Sequence, residues 1–215
     1  MSEKAVLEKL ASYIRLTWDR QLTESTGGNM SVRLDDKVYI TPTFFVKHFF
    51  TKDDFVILDM DGKQIGGKSK ASSESKMHIR IYKERKDIKS VFHAHPRYTL
   101  VYAITHNEVP SNILPETAIL LREIKYLPYC LPGTDDFADL FIEGLREGKK
   151  IFMLGNHGVT TIGENIEEAF SRLETLETCC FVSTMCKMVN EKIHEIPPEE
   201  LKIFFGNIKG NPFVK

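Results

Sequence analysis

The sequence predicts one α/β domain, spanning residues 1–215, with a central, mostly antiparallel sheet between helices. Three observations carry that reading. Apolar residues recur at helical spacing near both ends: Leu7, Leu10, Ala11, Ile14 and Trp18, then Ala169, Leu173, Leu176, Cys180 and Thr184. Short apolar, β-branched stretches of strand length lie between them. Turn residues, among them Asp35–Asp36, Asp61–Gly62 and Gly155–Gly158, separate those stretches.

Residues near 4–22 read as an amphipathic helix. Turn chemistry at Thr26–Asn29 leads into a strand beginning near Met30. Asp35–Asp36 then turns the chain into KVYITP, a strand ended by Pro42. FVILDMDGKQIGG is a strand followed by a turn at Asp61–Gly62. Ser73 to Lys86 is helical, with Met77, Ile81 and Tyr82 on one face. IKSVFHAH is a strand, RYTLVYAITH a short helix, and REIKYLPYCLPGT extended and proline-punctuated. Asp136 to Glu147 is helical, and KKIFMLGNHGVTTIG holds two strands broken at Gly155–Gly158. Ile166 to Val189 forms a long helix, and Pro197–Pro198 open a final short one. No repeat, linker or low-complexity segment interrupts this order.

Bulk composition excludes several function classes. Lys plus Arg number 29 against Asp plus Glu 30, a net charge of -1, which offers no electrostatic case for nucleic acid or an anionic membrane. Lys68–Lys70 and Lys149–Lys150 are too short to alter this and read as solvated turns. Hydrophobic residues make up 42%, enough for a substantial core without staples. Cys130, Cys179, Cys180 and Cys186 form no CxxC pair, so reduced, mostly buried thiols are expected. The start MSEKAVLEKL has no apolar signal core, and no apolar run is long enough for a bilayer, so a cytoplasmic location is expected.

Three stretches carry chemistry. In SVFHAH, His93 and His95 stand two apart on a strand and so point to one face. In GNHGV, His157 sits between Gly155 and Gly158, which let the backbone approach closely. Three imidazoles with one open position suit a catalytic zinc. The third stretch, SKASSESKMH, puts Ser72, Ser73 and Glu74 at a helix start. There an acid and a hydroxyl serve as ordinary caps, or the free N–H groups and hydroxyls bind phosphate. The glycine-rich TGGNMS and the threonines of TPT, Thr41 and Thr43, add polar turn groups of the same kind. His78, four residues after Glu74, reads as a packing contact, and His48, His106 and His194 have no partners in sequence.

The order GGN-S, ITPT, SSE, HAH and NHG resembles the class II aldolase/adducin family, most closely its L-fuculose-1-phosphate aldolases, from about Leu7 to about Val189. The resemblance implies a three-layer α/β/α sandwich and a C4 homotetramer with active sites at subunit interfaces. It implies one Zn2+ per subunit, on His93, His95 and His157. Glu74 matches the glutamate that ligates zinc at rest and then serves as acid/base. Gly28, Asn29, Thr43, Ser72 and Ser73 match phosphate-binding positions, with the Phe44 backbone N–H beside them. The activity implied is cleavage of a ketose 1-phosphate to dihydroxyacetone phosphate and an aldehyde through a zinc-stabilised enediolate.

Relatives within the fold set the alternatives. Pentulose-phosphate 4-epimerases carry Asp where this chain has Glu74, whereas methylthioribulose-1-phosphate dehydratases share the Glu. A non-catalytic adducin-like assembly domain, the distant third, is expected to have degraded ligands. Three departures stand out. Phe44 follows TPT where the family usually has Gly. VPSNILPETAIL lacks the tyrosine proton donor of the fuculose aldolases, and FFGNIKGNPFVK lacks their tail tyrosine. Glu116, Tyr126 and Tyr129 are the remaining candidates for the aldehyde-side acid.

Overall fold

A computed structural model describes residues 2–122 and 124–208. The tail departure noted above therefore lies partly outside the described residues, from 209 onward. The chain opens with α1 (Glu3–Asp19), capped by the Ser2 hydroxyl, which accepts the Ala5 N–H at 3.4 Å. The helix ends earlier than the expected residue 22, because Gln21 takes a left-handed φ of 57°. A meander follows: β1 (Asn29–Leu34), β2 (Lys37–Ile40), β3 (Val56–Asp59) and β4 (Gln64–Gly66). Asp35 supplies the positive φ, 51°, at the tight β1–β2 turn, where a short polar side chain tolerates it.

The second half runs α2 (Ser75–Glu84), β5 (Ser90–Ala94), α3 (Arg97–Thr105), α4 (Pro115–Leu120), β6 (Ile124–Leu127), α5 (Asp135–Asp139), α6 (Phe141–Arg146), β7 (Ile151–Leu154), β8 (Gly158–Gly163), α7 (Ile166–Met188) and α8 (Pro198–Asn207). The expected helix over 136–147 is thus two short helices meeting at Leu140. β4 and α4 were not expected; Pro115 at the first turn of α4 was a readable start signal.

The eight strands form one sheet in the order β4-β3-β2-β1-β5-β8-β7-β6. Among the described residues every neighbouring pair is antiparallel except β6 and β7. That pair is parallel because α5 and α6 carry the chain back across the sheet between them.

Strand alternation builds two cores. Met30, Val32, Phe92, Ala94, Met153 and Val159 pack under α1, α3 and α7. Val38, Ile40, Val91, Phe152 and Ile162 pack under α2, α5 and α6. The sheet therefore has helices on both faces, the expected three layers, and β5 lies inside it, flanked by β1 and β8. Cys179 and Cys180 are buried, and all four cysteines are free. No helix among the described residues is long and apolar enough to cross a membrane.

Candidate metal centre and active site

β5 sets the site. Its alternation sends Phe92 and Ala94 to the α7 face and Val91 to the α2 face, so His93, and His95 just past the strand, follow Val91. Pro96 ends the strand and caps α3. His157 comes from the tight β7–β8 turn, where Asn156 takes a left-handed φ of 54°. Gly158 is required beside it: a Cβ there would lie 2.6 Å from the Ala94 carbonyl oxygen and 2.6 Å from the His95 ring.

The three imidazoles converge. Their metal-competent nitrogens lie within 4.8 Å of one another. His93 Nε2 is 3.1 Å from His95 Nε2. Glu74, the N-cap of α2, lies against them, with Oε2 at 3.3 Å from His93 Nε2 and Oε1 at 3.3 Å from His157 Nε2.

Their hydrogen-bond partners show which nitrogens are bare. His93 Nδ1 donates to the Val159 carbonyl at 3.1 Å, since a carbonyl only accepts. His95 Nδ1 donates to Glu24 Oε1 at 3.0 Å, and this contact holds the Glu24 carboxyl down to about 2. Burial keeps His93 well below the usual imidazole range and His157 at about 4, so both are neutral at pH 7. His93 Nε2 is therefore bare and stands 3.1 Å from His95 Nε2. Glu74 Oε1 and His157 Nδ1 are buried with no hydrogen-bond partner among the described residues. Such a donor set is unfavourable without a cation at its centre and fits a divalent metal with imidazole preference.

The phosphate-type loops gather around Glu74. The Thr41 hydroxyl accepts the Met30 N–H at 3.2 Å, and a Pro42–Ala71 bridge joins the Thr43 and Ser72 loops. Ser72 Oγ accepts the Glu74 N–H at 3.3 Å, while Ser73 is exposed. Gly28 has φ 71°, and a Cβ on it would meet the His93 carbonyl oxygen at 2.5 Å. Asn29 pairs with His93 across β1 and β5 and donates from Nδ2 to Glu74 Oε2 at 2.5 Å. Phe44 holds φ 51° with its side chain 86% exposed. The left-handed turn that glycine permits is kept, at about 1–2 kcal/mol of backbone strain.

Burial raises the Glu74 pKa, against a smaller lowering by the Asn29 hydrogen bond. The aldehyde-side candidates are not brought here. Tyr126 accepts the Val109 N–H at 2.8 Å and, with Tyr129, lines a cavity of about 380 Å³ next to Tyr102 and Met153, on the α7 face. Glu116 is exposed on α4, which packs against α7. A different cavity, of about 600 Å³, has His95 in its wall together with Trp18, Gln21, Glu24 and Arg97.

Two residues of the site were not foreseen. Glu24 fixes the His95 tautomer, as a carboxylate commonly does behind a metal-binding imidazole. Lys47 is fully buried, and its ammonium donates to the carbonyls of Glu24, Ser25 and Gly27, which shapes the loop carrying Glu24 and Gly28. Burial lowers its pKa to about 8. No local pattern marks either residue. Glu24→Ala is expected to weaken metal affinity about 10–100-fold with the fold intact. Competition with a chromogenic chelator measures it; an unchanged affinity would remove Glu24 from the site.

His78, fully buried on α2, has a pKa lowered to about 3 by burial, against 6.5 when free. Between those values the unfolded chain holds a proton that the folded chain does not, so stability falls as pH drops through that window. His78 alone contributes about 1.4 kcal/mol per pH unit, and His93 and His157 act in the same direction. Glu74, with its raised pKa, opposes them. Urea midpoints of metal-free protein are expected to fall from pH 6.5 toward 4, more steeply in wild type than in His78→Asn.

The family model described as "Class II Aldolase and Adducin N-terminal domain" matches residues 8–184. The chain is 33% identical over 163 residues to the L-fuculose phosphate aldolase of Methanocaldococcus jannaschii, covering 76% of this chain and 87% of that one. It is 31% identical over 182 residues to the 3-oxo-tetronate 4-phosphate decarboxylase of Haemophilus influenzae, covering 82% and 86%. A solved L-fuculose 1-phosphate aldolase superposes with a TM-score of 0.84 at 27% identity, over 97% of this chain and 98% of that one.

Proposed function

Because the chain belongs to the class II aldolase and adducin N-terminal domain family, we propose that it is a zinc-dependent aldehyde lyase acting on a ketose 1-phosphate of the L-fuculose type. One observation carries the reading: a buried carboxylate oxygen with no hydrogen-bond partner among the described residues, Glu74 Oε1, stands 3.3 Å from His157 Nε2 in the group of three converging imidazoles.

His93, His95 and His157, with Glu74, would hold the metal. Zinc bound there supplies Lewis-acid stabilisation of the charge that develops on the substrate oxygens. Gly28, Asn29, Thr43, Phe44, Ser72 and Ser73 surround the non-reacting phosphate end and so orient the other. In cleavage the C3–C4 bond breaks, its electron pair stays on C3, and the C4 hydroxyl passes its proton to solvent water as the aldehyde forms. Glu74 then delivers a proton to C3, completing dihydroxyacetone phosphate, and removes it in the reverse direction. Oε1 is the atom suited to this, since Asn29 holds Oε2. Burial brings the carboxyl pKa toward the working range of an acid/base. We further take residues 1–215 as one domain of a cytoplasmic homotetramer, which light scattering on purified protein tests.

The deciding experiment combines metal analysis with a coupled assay for dihydroxyacetone phosphate, using L-fuculose 1-phosphate and 5-deoxyribulose 1-phosphate. Stoichiometric zinc with release is expected. Metal with consumption of a pentulose phosphate but no cleavage points to the dehydratase or epimerase reading. Carbon dioxide release from 3-oxo-tetronate 4-phosphate points to the activity named for the Haemophilus relative. Absence of metal after reconstitution overturns the histidine assignment.

A further inference from the structure

A chain of buried hydrogen bonds runs from the interior to Glu74. α2 contributes His78 and Tyr82, successive turns beyond Glu74, and β1 contributes Asn29 and Ser31, on the same side of the strand. His78 Nε2 is 2.5 Å from Asn29 Oδ1, and His78 Nδ1 is 2.7 Å from Ser31 Oγ. Ser31 Oγ is also 2.7 Å from the Tyr82 hydroxyl. At the other end, Asn29 Nδ2 reaches Glu74 Oε2 at 2.5 Å. His78, Ser31 and Tyr82 are fully buried.

The donor inventory orders this chain in one direction. An amide that donates to the Glu74 carboxylate turns its oxygen toward His78. That oxygen only accepts, so His78 carries its hydrogen on Nε2. A neutral imidazole then has a bare Nδ1, which accepts the Ser31 hydroxyl hydrogen. Ser31, its own hydrogen spent, accepts from Tyr82. Every donor points toward Glu74, and each bond strengthens the next. Reversing the Asn29 amide would set two oxygens against each other at 2.5 Å.

We propose that His78 is a positioning residue of the reaction: through Asn29 it holds Glu74 Oε2 fixed and leaves Oε1 directed at the reacting carbon. A ring that only filled space between α2 and β1 would leave Asn29 Oδ1 without a donor and the amide anchored at its Glu74 end alone. The inference rests on the acid/base reading of Glu74 for its kinetic consequence, but not for the tautomer it requires.

The test has two arms. In metal-free protein with ¹⁵N-labelled histidine, long-range proton–nitrogen correlation is expected to show His78 as the Nε2–H tautomer; the Nδ1–H tautomer overturns the proposal, whatever the substrate. In the kinetic arm, His78→Gln places an amide N–H near the Nε2 position, whereas His78→Asn reaches only the Ser31 side. His78→Asn is expected to lower kcat by about 10–100-fold, with KM for the sugar phosphate changed less than about twofold, and His78→Gln to recover about tenfold of that loss. Equal kcat in the two variants, or a change confined to KM, sinks the positioning role. If wild type turns over none of the sugar phosphates, the aldolase reading fails and the tautomer alone decides.

Discussion

Glu74→Gln is expected to leave the chain folded and metal-loaded and to lower turnover by about 10²–10⁴-fold. The substitution is nearly isosteric, and a glutamine oxygen still accepts the Asn29 amide hydrogen that holds Oε2. What it removes is the basicity of the second oxygen, Oε1, which has no hydrogen-bond partner among the described residues. An amide can contact a metal weakly but cannot exchange a proton with carbon. Steady-state kcat measured beside metal content on the same preparation separates the two roles. Turnover surviving with metal bound would move the acid/base elsewhere; loss of both would make Glu74 chiefly a ligand.

The second large effect is on metal itself. His93→Ala removes the imidazole at the centre of the group, 3.1 Å from His95 Nε2 and 3.3 Å from Glu74 Oε2. One ligand's share of a structural zinc free energy of about 10–16 kcal/mol corresponds to about 10²–10³-fold in metal affinity. Zinc content after dialysis should therefore drop well below one per chain, and activity should fall to background. His194→Ala is the control. His194 is exposed in the segment between α7 and α8, outside the group of three histidines, so metal content and circular dichroism should match wild type. Stoichiometric zinc in His93→Ala would rule out the three-histidine centre.

Both experiments address residues that local sequence pattern exposes. Alternation in a strand obliges His93 and His95 to share a face, and glycines around His157 mark a turn that needs close approach. The helix start at Ser72–Glu74 was readable for the same reason, although α2 begins at Ser75. Other readings failed where local pattern is indifferent to layer. Tyr126 lies in β6 and Tyr129 just past it, but the parity of that strand sends Leu127 to the α2 face and Tyr126 to the other, away from the histidines of the same chain. His78 looked like a packing residue because an i,i+4 pair on a helix is ordinarily that. Its partners are on β1, 47 and 49 residues away.

The sequence by itself determined the layered α/β architecture, the family and the three histidines with Glu74, because each rests on short-range periodicity or on motifs whose spacing is local. Only the tertiary structure decided which groups stand behind them. Glu24 meets His95 across 71 residues, Lys47 reaches back about 20 to the Gly27 loop, and Asn29 turns toward Glu74 only because β1 pairs with β5 beneath α2. Hydrogen bonds of that range follow from strand order and helix packing, which no single stretch of chain encodes.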